Sequence, residues 1–149
     1  MSMRFAAAVA ILATTGIGCD ENLSDVAGPT RNLEPTFASI QREIFQTTDE
    51  AGRAACAGCH NPTGGAFRQV GLDLSSDDAY GLLVGVPSRE KPALLRVAPG
   101  DPENSYLIHK IEGRTDIVGL RMPRNGPPYL TDGQILIIKR WIQIGAPRN

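Results

Sequence analysis

The sequence predicts an all-α domain, a few short helices joined by long loops. Three observations predict it. Sixteen glycines and eleven prolines among 149 residues interrupt the chain too often for long regular elements. Two segments near the ends of the domain, starting at Thr36 and Thr131, repeat apolar residues at helical spacing. Each of those segments opens on a residue able to cap a helix. The length suffices for one domain with its own core. The net charge of −1 leaves no basic excess of the kind that nucleic-acid binding needs. One tryptophan, three tyrosines and four phenylalanines make a thin aromatic core, a deficit that a bound apolar cofactor would fill.

Residues 1–18 read as a signal peptide. Arg4 gives a positive start, and Phe5 to Ala13 is an apolar run too short to span a bilayer. The stretch "GIGC" then reaches Cys19 and resembles a bacterial lipoprotein signal, with Gly18 suited to the position before the cut and Gly16 a departure from the usual apolar residue. Cut there, the chain carries lipid on Cys19 and faces the periplasm. The alternative is an ordinary signal peptide cut nearby, giving a soluble periplasmic protein. Residues 19–35, polar and without helical periodicity, read as a lipidated tether, whose flexible part spans roughly 20 Å. The domain is expected over 36–149.

Its first helix is "PTFASIQREIFQTT". Phe37, Ile40 and Ile44 lie on one face, Phe45 widens it, and Thr36 caps it. "CAGCH" follows, at Cys56, Cys59 and His60. A structural zinc site needs four ligands, and only two histidines and no second cysteine pair are present. A thioredoxin-like motif needs a preceding apolar strand, but "TTDEAGRAA" stands there. Covalent attachment of haem c uses every residue: two thiols add to the two vinyl groups, and the adjacent imidazole ligates the iron. This attachment is made outside the bacterial cytoplasm, in agreement with the export signal. Lipidation of Cys19 would account for the third cysteine.

The next stretch holds a possible short helix over Ser75 to Val84, capped by Ser75 or Ser76, and Leu94 to Val97 as a further wall of the haem pocket. "DPENSYLIHKIEG" predicts a helix capped by Asp101, with Pro102 in its first turn and Gly113 at its end. Leu107, Ile108 and Ile111 form its apolar stripe. His109 falls nearly opposite, where a solvated histidine is expected. Met1 and Met3 leave with the signal peptide, so Met122 is the one methionine of the mature chain. It lies in the stiff loop "GLRMPRNGPPYL", and it is the expected sixth iron ligand. His/Met ligation raises the reduction potential relative to bis-histidine and favours electron transfer.

The last helix is "LTDGQILIIKRWIQIGAP". Thr131 and Gln134 have capping-box spacing. Ile135, Ile138 and Ile142 form the stripe, with Ile137, Trp141 and Ile144 broadening it, and Gly145 and Pro147 end it. The two terminal helices are expected to bury their stripes against each other and the haem. Trp141 is expected in the core, its N–H reaching a propionate as the alternative. Arg68, Arg96, Arg121 and Arg124 are candidate propionate partners.

Together the helix leading to "CAGCHN", the "VAPGDPENSYLIHKI" helix, the "RMP" loop and the terminal helix resemble a single-haem cytochrome c domain of the kind found in bacterial lipoproteins. The likeness covers roughly Phe37 to Pro147. It implies a cytochrome c-like fold in which the terminal helices cross. It also implies thioether links at Cys56 and Cys59, a proximal His60 and a distal Met122. Family members often support the proximal histidine with a proline carbonyl, for which the neighbourhood of Pro62 is the candidate here.

The functional expectation is a periplasmic, membrane-tethered electron carrier rather than an enzyme. Its partners would be redox proteins and, through the lipid anchor, the membrane; no nucleophile–base pair, second metal cluster or small-molecule substrate is evident. The alternatives are a haem enzyme or gas sensor with a labile sixth ligand, or a dedicated haem subunit of an oxidoreductase complex.

Overall fold

In the computed structural model, residues 28–30 and 32–149 are described. The signal segment and Cys19 lie outside them. Among the described residues five α-helices follow in order: α1 (Phe37–Ile40), α2 (Gly65–Val70), α3 (Ala79–Leu83), α4 (Tyr106–Glu112) and α5 (Asp132–Gln143). Among the described residues there is no β-strand; isolated bridges link Val84 to Val97, Pro87 to Leu95 and Leu95 to Ser105. The fold class is therefore helical, as expected.

α1 starts where its cap predicts. Thr36 Oγ1 accepts the Ser39 N–H at 3.2 Å. After Ile40 the helix widens into a π turn over Gln41–Phe45, closed by the Gln46 N–H on the Gln41 carbonyl at 2.9 Å. The wider turn allows Ile44 and Phe45, neighbours in sequence, both to be buried along with Phe37 and Ile40.

α5 carries the full capping box, with the Gln134 N–H on Thr131 Oγ1 at 3.2 Å and the Thr131 N–H on Gln134 Oε1 at 2.9 Å. Gln134 is itself buried, and its amide donates to Thr30 Oγ1 at 2.8 Å. Ile135, Ile137, Ile138, Trp141 and Ile142 face the core. Ile144 does not extend that stripe: it caps the helix and is exposed.

The two terminal helices pack together. The Phe37 and Trp141 rings lie 5.8 Å apart, and Tyr80 of α3 meets Phe37 edge-on at 5.1 Å. Asn149 satisfies the open end of α1, its side-chain oxygen accepting the Phe37 N–H and its carbonyl the Ala38 N–H, each at 3.0 Å.

Two helices begin later than their sequence signals. Asp73 Oδ1 accepts both the Ser75 N–H and its hydroxyl, so this serine is spent in a turn and α3 starts at Ala79. Asp101 Oδ1 likewise closes its own turn on the Asn104 N–H at 3.1 Å. The first N–H groups of α4 are met instead by tertiary partners, Tyr106 on the Leu95 carbonyl and Leu107 on the Arg96 carbonyl, both at 2.9 Å. Gly113, at φ +73°, ends α4 as expected.

The packed unit also begins before residue 36. Leu33 is in the core, and the Ser39 hydroxyl donates to the Asn32 carbonyl at 3.3 Å. The C-terminal part of the expected tether is therefore seated on the domain.

Candidate functional site

A cavity of about 430 Å³ opens between these elements, within the roughly 300–1,000 Å³ usual for cofactor pockets. Ile44 and Phe45 line it from the π turn, Leu107 and Ile111 from α4, and Ile138 from α5. Leu72, Leu74, Leu83 and Leu130 complete the apolar wall. The helical stripes thus pack on one another at Phe37 and Trp141 and also leave a space that they share.

Cys56, Cys59 and His60 all line this cavity. Cys56 opens a 3₁₀ turn, Cys56–Gly58, and Cys59 and His60 follow it directly, the Cys56 carbonyl accepting the Cys59 N–H at 3.1 Å and the His60 N–H at 2.9 Å. Asn61 fastens the turn from behind, its amide donating to the Ala57 carbonyl at 2.7 Å and the Gly58 carbonyl at 3.2 Å. The turn then passes close under α2: a Cβ on Gly64 would lie 2.1 Å from the Cys59 carbonyl oxygen, so only glycine fits there. Both thiols are free of disulfide bonds. Burial, above all, pushes the Cys56 thiol above its usual pKa.

His60 is largely enclosed, and burial is the main cause holding its pKa below the ordinary histidine value. At neutral pH its ring is therefore uncharged, with a lone pair free for a metal. Its Nδ1 is buried without a hydrogen-bond partner among the described residues. The Leu72 backbone lies near enough to favour a proton on the ring but makes no bond of normal geometry. The supporting carbonyl expected near Pro62 does not bond this nitrogen.

Met122 reaches the same cavity from a distant part of the chain. Its N–H donates to the Lys110 carbonyl at 2.8 Å, fastening the loop to the C-terminal half of α4. Behind it stands a polar group on the cavity wall. The Tyr106 hydroxyl donates to Glu90 at 3.0 Å, and Lys110 pairs with Glu90 at 3.2 Å. Burial first, with Glu90 adding to it, raises the Tyr106 pKa, which keeps the hydroxyl a donor.

The arginines sort differently from their sequence order. Arg96 and Arg124 line the cavity, whereas Arg68 does not. Arg121 donates to the Ile111 carbonyl at 2.8 Å and lies over the Tyr129 ring at 4.2 Å. Arg89, not among the candidates, also lines the cavity. Its guanidinium lies against Gly71, where a Cβ would meet it at 2.4 Å. Neither Arg89 nor the buried Arg96 pairs with a carboxylate among the described residues; Arg96 donates to the Val70 and Leu82 carbonyls. No local pattern marks Arg89, because its place depends on the turn that returns the chain past α2. Of the stretch Leu94 to Val97, only Arg96 reaches the cavity; Val97 is core and Leu95 pairs with neighbouring backbone.

His109 departs from its expected solvated position. It is buried, with Nδ1 3.1 Å from an Asp116 carboxylate oxygen and Nε2 2.8 Å from the Glu103 carbonyl. The loops on either side of α4 fold back over this face, which the helical stripe alone does not reveal. Both its nitrogens are thus engaged away from the cavity. Trp141 is fully buried core, and its N–H donates to the Pro147 carbonyl at 2.9 Å.

The residues present fit haem c. Two free thiols, a neutral imidazole and a thioether sulfur line one apolar cavity, and three arginines, Arg89, Arg96 and Arg124, stand on its wall without carboxylate partners among the described residues. Comparison with family models, with curated proteins and with solved structures gives no match.

Proposed function

We propose that this chain is an electron-transfer protein holding one haem c in the cavity, within a cytochrome c-like fold. One observation carries the reading: Cys56, Cys59, His60 and Met122, drawn from two separated segments, line the same apolar space. Each thiol would add across one vinyl group, its sulfur bonding to the inner vinyl carbon and its hydrogen passing to the outer one, with no net change of oxidation state. His60 and Met122 would hold the iron, which supplies a one-electron couple when bound. The apolar wall excludes water from the iron, and Arg89 and Arg96 offer cations to the two carboxylates of the porphyrin. Export through residues 1–18 and lipid on Cys19 would keep the carrier on the periplasmic face of a membrane, beside its redox partners.

A second reading is a haem enzyme or gas sensor with a labile sixth ligand. The exposure of Val118 and Leu120, just before Met122, favours it, since that loop gains little from apolar packing.

The test is a redox titration with absorption spectra on protein matured in a host that attaches haem c. The electron-transfer reading expects a mass increase of one haem, a methionine–iron charge-transfer band in the oxidised state, and loss of that band with a lower potential in Met122→Ala. A polypeptide mass without haem sinks both readings. Rapid carbon monoxide binding by the reduced wild type, with spectra unchanged in Met122→Ala, selects the second.

A further inference from the structure

The segment between Gly113 and Met122 has almost no apolar anchorage. Val118 is 49 % exposed and Leu120 58 %. Its fixed points are polar: Lys91 and His109 hold Asp116, and a second pair of bonds, nearer Met122, holds Val118. The Val118 N–H donates to the Tyr106 hydroxyl at 3.0 Å, and the Val118 carbonyl accepts from Lys110 Nζ at 2.7 Å. Glu90 joins the two anchors, accepting from Tyr106 at 3.0 Å and from Lys110 at 3.2 Å. Lys110 then contributes its backbone as well, its carbonyl accepting the Met122 N–H at 2.8 Å. Tyr106 and Lys110 are buried, so these bonds compete weakly with water. Gly119, at φ +73°, turns the chain immediately after the held residue.

A buried lysine is costly to desolvate unless fully paired, and its partner Glu90 is only half-buried. Here their pairing is completed by the backbone of a loop that apolar contacts leave free. Stability alone would be as well served by apolar side chains at these positions. We propose that Glu90, Tyr106 and Lys110 are positioning residues for the sixth ligand, a clamp on Val118 that sets how firmly Met122 is held at the cavity. The inference rests on the reading of Met122 as an iron ligand. The state of the clamp, rather than the identity of the ligand, then separates the carrier from the labile-ligand alternative.

The experiment uses the mature haem-loaded protein. Tyr106→Phe keeps the ring and removes both hydroxyl bonds, and Glu90→Gln keeps the shape and removes the charge. The readouts are the methionine–iron band of the oxidised protein and the rate of carbon monoxide binding to the reduced protein. Loss of one buried hydrogen bond corresponds to roughly tenfold in the closed-to-open ratio of the loop, so about tenfold faster binding is expected in Tyr106→Phe. The band should weaken in both variants. Gln134→Ala, which breaks the α5 capping box away from the cavity, is the control: it lowers thermal stability and should leave both readouts unchanged. Unaltered band and binding rate in Tyr106→Phe overturn the proposal, as does an equal acceleration in Gln134→Ala. Failure of the underlying ligand assignment would show differently, as a band already absent from the wild type.

Discussion

Arg53 and Asp49 form an ion pair, Nε to Oδ2 at 3.1 Å, with the arginine side chain completely buried and the carboxylate nearly so. The guanidinium also reaches the Ile44 carbonyl at 3.2 Å and the Ala54 carbonyl at 3.0 Å. It thereby ties the end of the π turn to the segment entering Cys56. Arg53→Ala leaves a buried carboxylate unpaired and several carbonyls without donors. The expected loss is about 3–5 kcal/mol, measured by urea unfolding of the purified protein. A loss below 1 kcal/mol would show that water or other groups replace the arginine.

The same carboxylate gives a pH dependence with a definite sign. Burial pushes the Asp49 pKa up, but hydrogen bonds from the Arg53 N–H and Gln134 and the Arg53 charge outweigh it, so the folded value lies below the usual one. Stability from this group is complete above the unfolded value, near pH 4, and is lost as pH falls through the lower folded value. The unfolding free energies of wild type and Asp49→Asn should therefore converge as the pH is lowered from 6 towards 3. A constant difference across that range would refute the assignment.

Two glycines, Gly58 within the motif and Gly64 after it, should respond differently to alanine. At Gly64 the added Cβ would lie 2.1 Å from a backbone oxygen of Cys59, whereas at Gly58 it meets nothing within 4 Å. Gly64→Ala must displace the turn carrying Cys59 and His60. It should cost about 1–3 kcal/mol by the usual scale of overpacking and reduce haem loading on maturation. Gly58→Ala should mature normally. Similar haem content in the two variants, read from absorbance per polypeptide, would contradict this.

Arg89 offers a test of how the cavity treats anionic groups. In the haem-loaded protein, Arg89→Gln removes a cation from the wall, which stabilises the oxidised iron and lowers the midpoint potential. Arg148, which does not line the cavity and lies over Tyr80, serves as a control for total charge. The shift in Arg89→Gln should exceed that in Arg148→Gln. Equal shifts would place Arg89 outside any specific contact.

The local signals of the chain determined a helical class, the two terminal helices with their threonine caps, the glycine end of α4, and the cysteine–histidine turn. Each depends on residues within about one helical turn of one another, so periodicity and capping chemistry are enough to expose it. The tertiary structure decided what those elements face. It delivered Met122 to the cavity of His60, set Arg89 on the cavity wall, drew Leu33 out of the expected tether, covered His109 with flanking loops, and moved the starts of α3 and α4. These outcomes depend on contacts between residues far apart in sequence. The backbone groups at a helix start can be satisfied by a distant segment as well as by a neighbouring side chain, and only the folded path of the chain selects between them.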